Sequence, residues 1–251
     1  MTKSPRVSVV IPTFQDVEHT IEAVCSVISQ SFSDWEAIVI DDGSDERVQH
    51  ELKKLIEMQN DKRVRLLLSK RNRGPARTRN LGLRLAEGRY VAFLDADDIW
   101  MPDKLTAQVT AMEHHGVCLS CTAYENRNME TGLRRVRVPP KNVTYARLLY
   151  RNTIGCSTVM MDRTELPRSF FPEIAMRQDF AHWLAILKEG KIALGLSACL
   201  TCRRQFAGSL SSNKIRAAQY TWRVYREFEG FGFLKSCWYF AGYSLSSVLM
   251  R

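Results

Sequence analysis

The sequence lacks any run of about twenty apolar residues, which is the length that a helix needs to cross a bilayer. Before Pro12 it has only the short apolar run 7–11 and no small-residue cleavage site, so we expect no secretory signal. The seven cysteines are odd in number and scattered, which predicts reduced thiols and not a disulfide framework. Together these absences predict a cytoplasmic protein, either soluble or peripheral to a membrane.

A glycine-rich phosphate-binding loop is also absent after the first predicted strand. Pro12, Thr13, Phe14 and Gln15 stand at that position instead. This argues against a dinucleotide-dependent oxidoreductase, because that class places glycines where the backbone must approach a pyrophosphate. It also disfavours a sugar nucleotidyltransferase, which we keep as an alternative.

The chain is basic, with a formal net charge of +9. Such a surface favours polyanions, which include nucleic acid, anionic lipid head groups and diphosphate substrates. A nucleic-acid-binding module is the leading non-enzymatic alternative, but it leaves two acidic turns unexplained, since carboxylates repel phosphates unless a metal ion intervenes. We therefore expect no nucleic-acid partner.

Apolar patterning predicts an α/β fold with a mostly parallel sheet flanked by helices. In the first half, short β-branched runs alternate with segments of helical period, as in parallel sheets covered on both faces. The predicted strands are 7–11, 35–40, 64–68, 90–94, 117–123, 156–161 and 192–199. The predicted helices are 17–30, 46–58, 76–86, 102–114 and 179–188, and 134–141 is predicted as a loop or strand edge.

Two acidic turns follow predicted strands: residues 41–44 (Asp-Asp-Gly-Ser) and 95–98 (Asp-Ala-Asp-Asp). In open α/β sheets, ligands bind beyond the carboxyl ends of the strands, so both turns should lie on one rim. Carboxylates this close repel one another unless a cation compensates, and hard oxygen ligands suit Mg²⁺ and Mn²⁺. The alternatives are a solvated loop that caps a helix through Asp103 and a helix cap formed by Ser44 or Asp45.

Four stretches resemble glycosyltransferase family 2, whose members have the GT-A fold. They are residues 7–14, 40–44, 72–82 and 90–98, which read VSVVIPTF, IDDGS, NRGPARTRNLG and YVAFLDADD. They occur in the order and spacing of the family. The resemblance is close over residues 6–115, looser to residue 211, and absent from the last forty residues.

The resemblance implies a nucleotide-sugar site and a divalent metal ion, Mn²⁺ or Mg²⁺. Asp97 and Asp95 would ligate the metal, and Asp95 would also reach the ribose. Asp42, with Pro12, Thr13 and Phe14, would line the base pocket. One or two carboxylates suffice because the diphosphate and waters supply the other oxygen ligands. The implied nucleotide-sugar-binding residues are Pro12, Thr13, Phe14, Asp41, Asp42, Arg79, Asp95, Ala96, Asp97 and Arg204.

Residues 178–184 (QDFAHWL) resemble the family segment that supplies the catalytic base. We predict that Asp179 removes the acceptor proton in an inverting transfer. Gln178 stands where the family commonly has an acid. His182 is a rival base, or it orients Asp179 across one helical turn. The alternative is that Asp179 simply caps the helix.

A later stretch, residues 203–211, resembles a family segment of the form Tyr-Arg-x-His-x-x-Ser-x-Ser. Arg204, Ser209 and Ser211 match it, whereas Arg203 and Phe206 replace the Tyr and the His. Arg204, with Arg203, is predicted to neutralise the leaving diphosphate, since guanidinium groups bind phosphate oxygens in pairs. The alternative is a surface salt bridge.

From residue 214 onward the chain is aromatic and basic. Such a segment suits a membrane surface, although aromatic stripes also fill cores, and both alternatives stay open. We expect a catalytic domain over 1–211, with a nucleotide-sugar-binding half (1–115) and an acceptor-binding half (116–211), and an amphipathic extension over 212–251. The resemblance implies a UDP-sugar donor and a polyprenyl-diphosphate-linked glycan acceptor, at the inner face of the membrane, in bacterial surface polysaccharide synthesis (O-antigen or capsule).

Overall fold

The computed structural model describes residues 4–166, 170–206 and 214–249. Within these ranges, ten strands form one mixed sheet in the order β3-β2-β1-β4-β9-β6-β10-β5, with β7 paired to β6 and β8 paired to β10. Their bounds are β1 Val7–Thr13, β2 Trp35–Asp41, β3 Val64–Leu68, β4 Tyr90–Phe93, β5 Asp98–Trp100, β6 Leu119–Asn128, β7 Arg134–Arg137, β8 Asn142–Val143, β9 Val159–Asp162 and β10 Ala193–Gln205.

Helices alternate with many of these strands along the chain and cover both faces of the sheet. They are α1 Glu18–Ile28, α2 Glu46–Met58, α3 Pro75–Leu85, α4 Lys104–His115, α5 Tyr145–Tyr150, α6 Gln178–Lys188, α7 Lys214–Arg223 and α8 Phe233–Leu249. A 3₁₀ turn, Cys156–Thr158, precedes β9, and a π-helical segment, Val224–Phe228, follows α7.

Alternate residues of the central strands enter two separate apolar cores. Val10 of β1 packs with α3 and α6 on one face, whereas Val9 packs with α1, α2 and α4 on the other. Both faces of the sheet are therefore covered, which explains why β1 and β2 read as continuous apolar runs.

The parallel set β3-β2-β1-β4 confirms the predicted α/β architecture. β6 and β10 extend well past their predicted ends, because they pair with each other in parallel as far as Gln205 and Asn128. β7 confirms a strand edge within 134–141. The first residues of the predicted strand 156–161 form the 3₁₀ turn instead, and β5, β8 and α5 have no counterpart among the predicted elements.

The C-terminal helices share the core of the sheet domain. Val224, Tyr225 and Phe231 are buried in the same apolar cluster as Trp183 of α6. Tyr225 also donates a hydrogen bond to the carbonyl oxygen of Leu149 at 2.6 Å. Among the described residues, no helix is both long enough and apolar enough to cross a bilayer.

Candidate active site

The two acidic turns lie at the carboxyl ends of β2 and β4, the parallel strands on either side of β1, so both are on one rim of the sheet, as the sequence predicted. Thr13, the last residue of β1, is paired with Asp41, the last residue of β2. The next amide, of Asp42, donates to the carbonyl oxygen of Thr13 at 2.8 Å. On the other side of β1, the chain leaves β4 through Leu94, whose amide donates to Val10, and then enters the second turn at Asp95.

The first acidic turn is held against the segment that precedes α3. The Asp42 carboxylate accepts hydrogen bonds from the amides of Arg73 at 3.0 Å and Gly74 at 2.7 Å. Gly43 has a φ of +80°, and a Cβ there would lie 2.4 Å from the carbonyl carbon of Arg71. Only glycine fits this close approach, so two of the motifs that are separate in sequence form one packed unit.

Asp41 holds the turn together from inside. Its fully buried carboxylate accepts from the amide of Ser44 at 3.1 Å, from the Ser44 hydroxyl and from Gln49 Nε2 at 2.6 Å. Asp45 caps α2 by accepting from the amide of Val48 at 2.9 Å, as one sequence alternative predicted. These contacts give Asp41 a structural role, in contrast to the ligand contact predicted for it.

The end of β1 contributes three of the predicted base-pocket residues. Pro12 is half-buried, and Thr13 is buried with its hydroxyl bonded to Thr20 Oγ1 at 2.6 Å. Phe14 is 47% exposed directly after the strand. The rim therefore presents an aromatic ring beside the turn that contains Asp42.

The second acidic turn concentrates negative charge. Asp95, Ala96 and Asp97 are half-buried, whereas Asp98 is buried. Burial, with Asp95 as the next cause, raises the pKa of the Asp97 carboxyl above its ordinary value. A cation would relieve this unfavourable charge. Within the described ranges, no group of three or more His, Cys, Asp or Glu residues is arranged to hold an ion, so an ion here needs further oxygens from a ligand.

Ser157 connects the Asp98 carboxylate to the backbone of Asp95, and the sequence analysis missed it. Its hydroxyl donates to Asp98 Oδ2 at 2.5 Å and accepts from the amide of Asp95 at 3.1 Å. Its carbonyl oxygen accepts from Trp100 Nε1 at 2.7 Å. Burial is also the main cause that raises the pKa of Asp98, to about 7. A polar residue inside a predicted apolar strand was the one signal available in the sequence.

Arg79 brings the predicted base to the acidic turn. Its guanidinium is 7% exposed and donates to Asp95 Oδ1 at 2.5 Å. Burial lowers the pKa of Arg79, but Cys156, Asp95 and Asp179 outweigh it and raise the pKa above its ordinary value. Arg79 Nε has no hydrogen-bond partner among the described residues. The three charged groups therefore form one electrostatic cluster at the second acidic turn.

Asp179 lies in the first turn of α6 and is half-buried. The cap position is occupied by Arg177, which has a φ of +63° and makes no side-chain capping bond, so the alternative of Asp179 as a helix cap is wrong. Non-glycine residues in this conformation are strained and are common at functional sites. His182 is buried against Phe171, with ring centroids 4.2 Å apart, and this excludes it as the rival base.

The two neighbouring arginines of β10 point in opposite directions, as alternate residues of a strand do. Arg204 is 9% exposed and donates to the carbonyl oxygen of Asp97 and to Glu22. Arg203 faces the carboxylates: its Nε lies 3.8 Å from Asp98 Oδ2. Burial lowers the pKa of Arg203, but Asp98, Tyr124, Asp95 and Asp179 outweigh this effect. The net result is a pKa above the ordinary value. Both arginines thus lie at the second acidic turn, and their contact with the diphosphate stays a prediction; Arg203 faces the Asp98 carboxylate, and Arg204 bonds to the backbone of Asp97.

Phe206, which replaces the family His, packs against His19 with ring centroids 4.6 Å apart. Ser209 and Ser211, the two serines that match the family segment, lie outside the described residues. The same holds for residues 1–3 of the predicted catalytic domain and for residues 212, 213, 250 and 251 of the predicted extension.

A sheet with a parallel first half, two acidic turns on one rim and a mixed second half is typical of a GT-A glycosyltransferase. The model of glycosyl transferase family 2 matches residues 8–164, and the chain belongs to this family. TuaG of Bacillus subtilis, named as a glycosyltransferase of teichuronic acid biosynthesis, is 39% identical over 98% of both chains. The Escherichia coli protein WfgD is 36% identical over 88% of this chain and 86% of its own length. Its name describes β-1,3-glucosyl transfer from UDP-Glc to α-D-GlcNAc-diphosphoundecaprenol.

Solved structures agree with the fold. The crystal structure of Staphylococcus aureus TarS 1–349 in complex with UDP-GlcNAc has a TM-score of 0.72 at 18% identity, over 95% of this chain and 71% of that one. The mannosyltransferase PcManGT of Pyrobaculum calidifontis, solved with GDP-Man and Mn²⁺, has a TM-score of 0.72 at 19% identity, over 97% of this chain and 74% of that one. The chain is therefore a family 2 glycosyltransferase with the GT-A fold.

Proposed function

We propose that the protein is an inverting glycosyltransferase that moves a sugar from a nucleotide diphosphate donor, preferably a UDP-sugar, to a hydroxyl of a lipid-linked glycan. The family and the names of the relatives support this proposal. WfgD and WfaP, 36% and 34% identical to this chain, are both named for transfer from UDP-Glc to a sugar on diphosphoundecaprenol. The product would enter a bacterial surface polysaccharide.

One observation carries the proposed mechanism: Asp179 and the second acidic turn interact with the same two guanidinium groups, Arg79 and Arg203. In the reaction, Asp179 accepts the proton of the acceptor hydroxyl. The hydroxyl oxygen bonds to the anomeric carbon from the face opposite the diphosphate, and the bond from that carbon to the diphosphate oxygen breaks. Arg203 and Arg79 stabilise the negative charge that develops on the leaving group.

The acidic turn fits a divalent metal ion. Asp97 is half-buried, and burial, with the neighbouring Asp95 as the next cause, raises the pKa of its carboxyl, so a cation here would stabilise its charged form. Asp97, with Asp95, would hold Mn²⁺ or Mg²⁺, which supplies charge neutralisation to the diphosphate when bound. The solved neighbour PcManGT, which has the same fold, was crystallised with Mn²⁺.

The nucleotide is proposed to bind along the ends of β1 and β2. Asp42 already accepts two amide hydrogen bonds, but a carboxylate has about four acceptor sites, so it retains capacity for a base N–H. Phe14 offers an exposed ring next to it. UDP is preferred over GDP as the nucleotide because WfgD, WfaP and the TarS complex all carry it in their names or titles.

The test separates donor binding from turnover. A panel of nucleotide sugars is screened for Mn²⁺-dependent thermal stabilisation of the protein, and a UDP-sugar is expected to raise the melting temperature. Asp97→Ala should abolish this shift because it removes a metal ligand. Asp179→Ala should keep the shift but lose transfer to a polyprenyl-diphosphate-linked GlcNAc by at least about 100-fold, the range for loss of a general base.

Asp103→Ala serves as the matched control, because Asp103 is an aspartate near the same turn that makes no capping hydrogen bond to α4. It should retain both binding and transfer. Equal Mn²⁺-dependent stabilisation of the wild type and Asp97→Ala would overturn the metal site. Full transfer by Asp179→Ala would overturn the assignment of the base.

A further inference from the structure

The solvent-facing side of α8 is apolar along its described length. Leu234, Trp238, Ala241 and Leu245 are exposed and follow one another at intervals of four, three and four residues, which places them on one stripe of the helix. Leu234 is 83% exposed, Trp238 68% and Leu245 61%, and Phe233 beside them is 64% exposed. We call these five residues the α8 stripe.

The opposite side of α8 is occupied by the protein itself. Tyr239 packs against Tyr150 of α5, with ring centroids 5.1 Å apart, and Tyr243 packs against Phe180 of α6 at 5.7 Å. Surface helices ordinarily place polar residues on the side that faces solvent. An apolar stripe opposite an apolar packed face is suited to a second apolar partner, and none of the described residues covers it.

The charge around the α8 stripe selects the partner. Lys235 is the one charged residue in the sequence of α8, and residues 214–249 contain five basic and two acidic side chains. Glu227 is paired with Arg223 at 2.9 Å, and Glu229 is buried 3.0 Å from Lys188. The segment that carries the stripe therefore has a net positive charge, with Lys235 on α8 itself, and this suits anionic lipid. A second copy of the chain would bring like charges together.

We propose that the α8 stripe docks on an anionic phospholipid bilayer, with α8 lying in the plane of the interface. Apolar side chains flanked by cations are the features by which amphipathic helices bind such surfaces. Trp238 suits this depth, since its Nε1 donates to Tyr150 Oη at 2.8 Å while the ring stays exposed.

The packed side of α8, opposite the stripe, adjoins the acceptor side of the site. Tyr243 of α8 contacts Phe180, and the guanidinium of Arg177 lies 5.8 Å from the Tyr243 ring. These two residues flank Asp179, the proposed base. Docking of the stripe thus brings α6, the helix that carries Asp179, close to the bilayer surface, where a lipid-linked acceptor is held. This step alone rests on the proposed function.

The experiment measures binding of the full chain to vesicles by sedimentation. The wild type should bind vesicles of mixed phosphatidylglycerol and phosphatidylcholine, and bind phosphatidylcholine vesicles weakly. The double variant Leu234→Ser/Leu245→Ser should lose at least about tenfold in partition, from the apolar area that it withdraws from the interface. Leu133→Ser/Val136→Ser is the matched control, because both residues are similarly exposed on the β6–β7 hairpin, and its partition should be unchanged.

Two readouts keep folding and donor binding separate from docking. The melting temperature and the UDP-sugar stabilisation of both double variants should equal those of the wild type. Equal vesicle binding by the α8 variant and the wild type, or no vesicle binding by the wild type, would overturn the proposal while leaving the donor site intact. A wild-type dimer that the α8 variant converts to a monomer, with vesicle binding retained, would assign the stripe to a second copy and also overturn it.

Discussion

Two adjacent arginines show how one residue of register decides a role. Arg203 and Arg204 are the same residue type at adjacent positions of β10. The pleat of the strand turns Arg203 towards Asp98 and Tyr124, and it turns Arg204 towards α1. Arg204 supports the backbone of the second acidic turn through the carbonyl oxygen of Asp97. The presence of an arginine at this point of the sequence is thus insufficient to show whether its side chain faces the carboxylates of the turn.

This division predicts opposite effects of two alanine substitutions. Arg203→Ala should lower kcat by about 100-fold at saturating donor, the usual loss for one preorganised charge donor. Arg204→Ala should instead lower the free energy of unfolding by about 1–3 kcal/mol, because it removes the charged donor to the carbonyl oxygen of Asp97. Steady-state kinetics and urea unfolding of both variants check this. A loss of kcat confined to Arg204→Ala, with stability unchanged, would reverse the assignment.

The short element Cys156–Thr158 has a larger part in the site than its length suggests. It stands between the second acidic turn and β10, and through Ser157 it bonds to Asp95, Asp98 and Trp100. Thr201 of β10 also donates to the Ser157 carbonyl oxygen at 3.3 Å. The Cys156–Thr158 turn therefore positions the Asp98 carboxylate and the backbone of Asp95.

Ser157→Ala should weaken Mn²⁺-dependent donor binding as well as stability. The substitution removes the donor to the buried Asp98 carboxylate, and an unsatisfied group of this kind costs about 1–3 kcal/mol. Ser120→Ala is the control, since Ser120 is equally buried but bonds to Gln108, away from the acidic turn. Titration of donor in the presence of Mn²⁺, beside urea unfolding, distinguishes the two. Identical donor affinity in both variants would contradict a positioning role for Ser157.

The elements that the sequence predicted are those with a strong local pattern. β1, β2 and α2 follow from apolar periodicity, and the two acidic turns follow from their positions after buried strands. β5 could not be found in this way, because three residues carry no period and this strand exists through its pairing with β10. The role of Ser157 was likewise invisible, since it depends on contacts across 59 and 62 positions of sequence.

At the scale of the molecule, the buried acidic turn makes stability depend on pH. Burial is the main cause that raises the pKa of Asp98 to about 7 in the folded state. The folded protein therefore binds this proton more tightly than the unfolded chain does. Stability from this group is present below the ordinary carboxyl pKa and is lost as the pH rises towards 7.

Asp98→Asn should remove that dependence. In EDTA, the wild type should lose stability relative to the variant between pH 5 and pH 8, by an amount on the order of a few kcal/mol. Urea unfolding of both proteins at the two pH values measures the difference, and the remaining titrating groups are common to both. Parallel stability profiles would show that Asp98 ionises as an ordinary carboxyl group.

The burial of Val224, Tyr225 and Phe231 beside Trp183 has a practical consequence for anyone who redesigns this protein. A version trimmed after β10 would open a hydrophobic cavity behind α6, and the helix that bears Asp179 would lose its support. Swapping acceptor specificity between relatives therefore means transplanting the C-terminal helices together with α5 and α6. A graft that ends at β10 would separate the C-terminal side chains from the apolar core that they share with α6.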